Sequence, residues 1–279
     1  MASHSPVPLE YKGKAITATA LPALPSVLHE ALQLIAHGRP STQQLAAIIS
    51  RDQGLSAKVL AIINSPVYGF AGRITTIPNA LALLGFNVIH TVIVTSVVGD
   101  ILNQNMRDLW THSYACSLAC GCIAHTLTLP NMSEFMLAGL LHDFGKAVIG
   151  IQLPEALQEI RHLVDAEDLT FHAAEKRVLG FTHLDVNAWI AAEWALPPAI
   201  RDAMTHHHAP LGEGQHTPLV CVTHLGDFFT RLFEQGSGGD NNVPRLDLTA
   251  LRHLNITLDT LGDIMDNLGA TFASDAGKL

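Results

Sequence analysis

The chain has 279 residues, 48% hydrophobic and only 15% charged, so it can bury a sizeable core and is too apolar to be disordered. Its 25 acidic against 16 basic residues give a formal charge of −9, and no Lys/Arg cluster stands out, which argues against a nucleic-acid interface. One count is unusual: there are 16 histidines.

The start, MASHSPVPLEYKGK, has no basic stretch leading into an apolar run, so residues 1–17 read as a tail and not as a signal peptide. From there the pattern is helical nearly throughout. Ser41 is placed to cap TQQLAAIIS, with apolar positions at Leu45, Ile48 and Ile49. LSAKVLAIIN repeats that spacing until Pro66, and Pro78 opens the next segment at a favoured first-turn position. VIHTVIVTSVV, residues 88–98, is rich in β-branched residues, yet its neighbours are helical and it is read as a buried helix. The apolar stretch 80–102 is broken by Gly85, Asn87, His90, Ser96 and Asp100, which makes it a poor membrane span. MSEFMLAGLLHDFGKAVIGI reads as one strong helix, and PEALQEIRHLVDA follows after Pro154. Thr182 and Asp185 have capping-box spacing for a helix ending near Glu193 or Trp194, and PAIRDAMTHH is the next. GSGGDNN, residues 236–242, reads as a flexible loop. The cysteines Cys116, Cys120, Cys122 and Cys221 match no zinc or redox spacing, so they read as free thiols of a reducing cytoplasm. The fold expected is all-α. An N-terminal helical lobe (18–105) packs on a C-terminal histidine-bearing helical bundle (106–235), followed by a loop (236–243) and C-terminal helices (244–279).

Several residues of metal-ligating type sit at helical spacings. His142 and Asp143 are adjacent and diverge by about 100° on a helix, so the pair could grip one ion or reach two. Lys146 shares the face of Asp143; His112 lies one turn after Asp108; His183 opens its helix; His224 and Asp227 are three apart. His206, His207 and His208 run together in THHHAP. Each has an ordinary alternative: a packed imidazole, an i,i+3 pair, or cations at a helix C-terminus. His29, His37, His90, His125, His162, His172, His216 and His253 have no ligand-like neighbours and are read as surface or core.

The order His112, His142–Asp143, His183, His207–His208, Asp227 resembles the HD superfamily of metal-dependent phosphohydrolases. LPALPSVLHEALQLI, IISRDQGLSAKVLAIINSPVYG and ITTIPNALALLG are similar to the opening lobe of its HDOD branch, used in bacterial signalling. FTHLDVNAWIAAEWALPPAIRDAMTHHHAP resembles the second lobe of that branch. The resemblance spans about residues 18–235. It implies that these seven residues hold divalent ions, two of them, of iron, manganese or zinc, with Asp143 between the ions and His206 a bystander. Imidazole and carboxylate donors suit those metals. It implies catalytic roles for Asp143 and Lys146, the lysine facing phosphate. Asp108 stands where some trinuclear relatives place a glutamate, and is carried as a candidate third-metal ligand. The related HD-GYP branch carries a DGxGYP-like stretch after its histidine pair; APLGEGQHTP departs from it, which argues against cyclic di-GMP hydrolysis. The function implied is a signalling module with a retained metal site and a protein partner. The alternative is an active phosphohydrolase on a nucleotide or other phosphoester.

Overall fold

The computed structural model describes residues 9–16, 30, 41–64, 73–84, 89, 106–194, 196–210, 218–240 and 242–275. The segment read as a tail carries a hairpin, β1 (Glu10–Tyr11) paired antiparallel with β2 (Lys14–Ala15). Its turn residues Lys12 and Gly13 both have positive φ (48° and 78°), the conformation that suits the twist of a two-residue hairpin. All other described elements are helices: α1 (Thr42–Ile49), α2 (Gln53–Ile63), α3 (Arg107–Thr126), α4 (Met132–Leu141), α5 (Phe144–Gln152), α6 (Pro154–Glu167), α7 (Phe171–Leu179), α8 (His183–Glu193), α9 (Pro198–His206), α10 (Pro218–Leu232), α11 (Leu248–His253) and α12 (Leu258–Asp275). The chain is all-α in class, as its sequence pattern implies. None of the described helices is long and apolar enough to cross a membrane. Pro66 and most of 88–98 lie outside the described residues.

Capping follows the sequence closely. Ser41 accepts from the Gln44 amide while the Gln44 side chain accepts from the Ser41 amide, and Thr182 with Asp185 forms a second reciprocal box. Proline opens α6 and α9, where its missing N–H costs nothing.

The spacing of the histidine-bearing helices is set by small residues. Helix α3 is buried along most of its length and packs against α4, α10 and α12. A Cβ on Gly139 of α4 would stand 2.7 Å from both the Cys116 carbonyl and the Cys120 sulfur, and one on Gly226 of α10 only 2.4 Å from that sulfur. Glycine at both places lets α4 and α10 press onto α3 from two sides. That closeness brings His112 of α3 beside the end of α4 and beside Asp227 of α10. The thiols of Cys116 and Cys120 are free and buried in this contact; Cys221 is buried too, and Cys122 is half-buried.

The stretch expected as a single helix from Met132 onward is broken. Helix α4 ends at Leu141, and Asp143 (φ −104°, ψ 7°) serves as N-cap position of α5. The cause lies in α8. Asn187, fully buried, accepts from the Gly145 amide at 2.8 Å and donates to the carbonyls of His142 and, at 2.9 Å, Met204. It does the capping that an aspartate at this position normally does. Asp143 makes no cap bond, so its carboxylate is free to face inward.

Candidate metal centre

Asp143 lies between two groups of ligand atoms. On one side its Oδ2 is 3.6 Å from His112 Nε2 and 3.3 Å from His142 Nε2, those two nitrogens being 3.2 Å apart. Asp227 Oδ1 stands 3.1 Å from His112 Nε2 and 3.7 Å from His142 Nε2. On the other side Asp143 Oδ1 is 3.4 Å from His183 Nε2 and 3.7 Å from His207 Nε2. His208 Nε2 completes that group, 3.1 Å from His183 Nε2. The donor atoms of Asp143, His183, His207 and His208 all lie within 4.8 Å of one another, as do those of His112, His142 and Asp143.

Hydrogen bonds behind the rings fix which nitrogen faces the centre. His142 Nδ1 donates to the Gly139 carbonyl at 2.7 Å and His207 Nδ1 to the Met204 carbonyl at 3.2 Å. A carbonyl only accepts, so in the neutral rings Nε2 turns its lone pair inward. His183 Nδ1 donates to Glu175 Oε2 at 2.6 Å, the carboxylate–histidine arrangement that orients a ligating imidazole. His224 Nδ1 donates to the His207 carbonyl at 2.8 Å, and its Nε2 accepts from the Asp247 amide at 3.0 Å. Both nitrogens of His224 are thereby used in holding backbone, Nδ1 that of His207 and Nε2 that of Asp247.

Charge states follow from burial. Desolvation holds His112, His207 and His183 below the usual imidazole range, His183 furthest of these, and pushes His208 down to about 2. Burial also disfavours charge on His142 and on Asp143, but their mutual attraction outweighs it, raising the imidazole and, with Lys146, keeping the carboxylate well below its ordinary value. Asp227 is held down in the same way by His112, His142 and Arg231 against its burial. Glu175 is pushed up to about 8 by burial. Ionised Asp143 and Asp227 with mostly neutral imidazoles are the forms that bind metal.

The donors fit divalent ions on a second count. Asp143 Oδ1, Asp227 Oδ1 and His207 Nε2 are buried without a hydrogen-bond partner. Each such orphan ordinarily costs about 1–3 kcal/mol, and all three belong to the two groups facing Asp143.

Around the donors, Lys146 is 2% exposed and its ammonium donates to Asp143 Oδ2 at 2.7 Å and to the Gly238 carbonyl at 2.8 Å, above the Phe171 ring. The segment read as a flexible loop is tied over the site: Asp240 accepts from the Phe171 amide and from Arg231, and Gly238 holds Lys146. Arg231, one turn after Asp227, lies 3.5 Å from its carboxylate. A cleft of about 200 Å³ is lined by Lys146, His172, His208, Asp227, Arg231 and Arg245.

All seven residues expected as ligands come together here. Asp108 does not: it is exposed in the first turn of α3, where a negative charge faces the helix N-terminus, and it belongs to neither group of converging donors. His206 is half-buried and turned away, its Nδ1 on Thr205 and the Asp202 carbonyl. His125, His162 and His253, read only as surface or core, are exposed, and His29, His37, His90 and His216 lie outside the described residues. His172 was read as having no ligand-like neighbour; its ring sits 5.1 Å from that of His208 and 5.9 Å from that of His183. Sequence reasoning also missed Glu175, Asn187 and Arg231. Asn187 and Arg231 each stand four residues after a candidate ligand, a spacing that could have flagged them. Glu175 meets His183 across a turn between two helices, and no spacing announces it.

The HDOD domain family model matches residues 21–210. The chain is similar to a crystallised HDOD domain protein of unknown function from Geobacter sulfurreducens (24% identity, 92% of this chain and 90% of that one, TM-score 0.70). It is also similar to a proposed signal transduction protein from Marinobacter aquaeolei VT8 (22%, 91% and 58%, TM-score 0.72) and to a proposed phosphohydrolase from Shewanella amazonensis SB2B (19%, 90% and 96%, TM-score 0.66). An uncharacterized protein of Treponema pallidum (strain Nichols) shares 24% identity over 237 residues, 83% of this chain and 46% of that protein. The chain thus spans about half the length of the curated relative it matches.

Proposed function

The chain belongs to the HDOD family, and from that premise we propose that it is a bacterial signal-transduction module whose second lobe holds two divalent ions. The observation that carries the reading is the place of Asp143, whose two oxygens face two separate groups of buried donors. His112, His142 and Asp227 would hold one ion, His183, His207 and His208 the other, and Asp143 would bridge them. Iron, manganese and zinc all suit this nitrogen and oxygen set. Such ions, when bound, supply Lewis acidity toward a phosphoryl oxygen and make a nearby water more acidic. The chain's own residues do the rest. Glu175 and the Gly139 and Met204 carbonyls fix ring orientation, Asn187 holds the α4–α5 break, and the 236–240 segment covers the centre. The free thiols fit a reducing cytoplasm. The module reading places a protein partner among the family's signalling contacts.

A second reading, hydrolysis of a phosphoester, is favoured by the cleft that reaches Lys146, His208 and Asp227 together. One experiment separates the two: elemental analysis of protein purified without chelators, followed by assay of the fully metallated chain on a generic phosphomonoester and phosphodiester. Two ions per chain without turnover leave the module reading in place. Turnover that follows metal content moves the assignment to an enzyme. A chain that retains no metal overturns both.

A further inference from the structure

Six large hydrophobic side chains are exposed among the described residues, and five of them lie between Leu232 and Met265, beyond the matched family segment 21–210. Single exposed apolar side chains are ordinary; a group of them in one stretch of chain marks a surface that something else covers. Helix α12 shows how that surface is built. Its inner face packs through Ile264, Leu268 and Phe272, all buried, and Asn267 donates to Thr126 Oγ1 at 3.2 Å, which fixes the helix beside the C-terminal end of α3. A stripe flanking the inner face runs Leu258, Gly262, Met265, Gly269, large and small residues alternating at spacings of one helical turn. Leu258 is 86% exposed and Met265 40%. A Cβ on Gly262 would meet nothing within 4 Å, and one on Gly269 only the Phe233 ring at 3.9 Å, so both glycines are open notches and not points of close packing within the chain.

Beside the stripe stand Asp259, Asp263 and Asp266, all exposed and none of them in an ion pair among the described residues. Helix α12 contains no lysine or arginine. Asp263 lies four residues after Asp259 and three before Asp266, spacings at which like charges destabilise a helix. We propose that the α12 stripe docks a basic amphipathic helix of a partner protein, its apolar side chains entering the notches at Gly262 and Gly269 and its lysines or arginines meeting the three aspartates. Apolar anchors at turn spacing are the means by which one helix seats on another surface. The sign of the charge selects this occupant. A second copy would bring another chain of formal charge −9, and antiparallel packing about a two-fold axis would set aspartate against aspartate. Nucleic acid and an anionic lipid surface are repelled for the same reason. From His112 to Thr126 is about 21 Å along α3, so this surface is separate from the donor cluster and stands whether or not that cluster holds metal.

The test uses the full chain and two synthetic helical peptides as long as α12 (18 residues). Both carry leucines at turn spacing; one has lysine and the other glutamate at the flanking positions. Fluorescence anisotropy should show the lysine peptide binding, and the glutamate peptide binding more weakly by about tenfold or more. Asp263→Lys with Asp266→Lys should reverse that order. Leu258→Ser with Met265→Ser should weaken the lysine peptide by about tenfold, because less apolar area is covered. All four positions are exposed, so each variant should keep the parent's helical signal and metal content. A parent that binds neither peptide overturns the inference, as does either variant binding the lysine peptide as the parent does. So does a parent that sediments as a dimer and dissociates when Leu258 and Met265 are replaced, which gives the stripe to a second copy.

Discussion

Replacing Asn187 by alanine tests how the centre is assembled, because one amide joins three backbone segments. Its oxygen caps α5 through the Gly145 amide, and its nitrogen serves the carbonyls of His142 and Met204. The Met204 carbonyl keeps His207 Nδ1 as a second partner. The Gly145 amide and the His142 carbonyl have no other side-chain partner described. Asn187→Ala therefore leaves two buried backbone groups unsatisfied, at about 1–3 kcal/mol each, so a loss of about 2–6 kcal/mol is expected. Denaturant titration of parent and variant in excess chelator reads this directly, since bound metal would otherwise add its own stabilisation. The same change loosens the turn that aims Asp143 and the helix end that aims His207. Metal affinity should fall about 10- to 100-fold, as when a group orienting a ligand is removed. A variant within 0.5 kcal/mol of the parent (about the scatter of a surface substitution) would mean that Asn187 does not hold the break, and the account of why Asp143 turns inward would fail.

His206→Ala should leave metal content unchanged, whereas His208→Ala should lose most of one ion; equal losses in elemental analysis would mean that the register of the histidine run is wrong. Lys146→Met keeps the apolar stem and removes an ammonium that bridges Asp143 and Gly238; if the chain hydrolyses phosphoesters, turnover at full metal occupancy should drop about 10²- to 10³-fold, and unchanged turnover would remove Lys146 from the chemistry. His142 is raised above the ordinary 6.5 while His112, His183, His207 and His208 are lowered. Apparent metal affinity should therefore begin to fall as the pH drops to the raised His142 value, already above 6.5, and at about one decade per pH unit for one competing proton. A fall of several decades per unit in that window would show that the other imidazoles also charge there.

The helical class, the capping boxes and the seven candidate donors could be read from the chain because each depends on local spacing or on the order of a motif. The break at His142–Asp143 could not. Local periodicity in MSEFMLAGLLHDFGK supports an unbroken helix, and what interrupts it is Asn187, more than forty residues on. The packing that brings His112, His142 and Asp227 together is equally non-local, since it needs Gly139 and Gly226 to meet the thiol face of α3. Asp108 misled for the converse reason: a turn before His112 is near in sequence, yet there the helix emerges into solvent. GSGGDNN has the composition of a loose loop, and nothing in it announces that the Gly238 carbonyl and the Asp240 carboxylate have partners on α5, α7 and α10.

The central claim is that Asp143 is shared between two ions. Metal should be counted per chain, by elemental analysis after saturation and desalting, in the parent and in Asp143→Ala. The account predicts two ions in the parent and loss of most of both in the variant, because a single carboxylate serves both groups. A parent that saturates at one ion, or a variant that loses one ion and keeps the other at full occupancy, would contradict it.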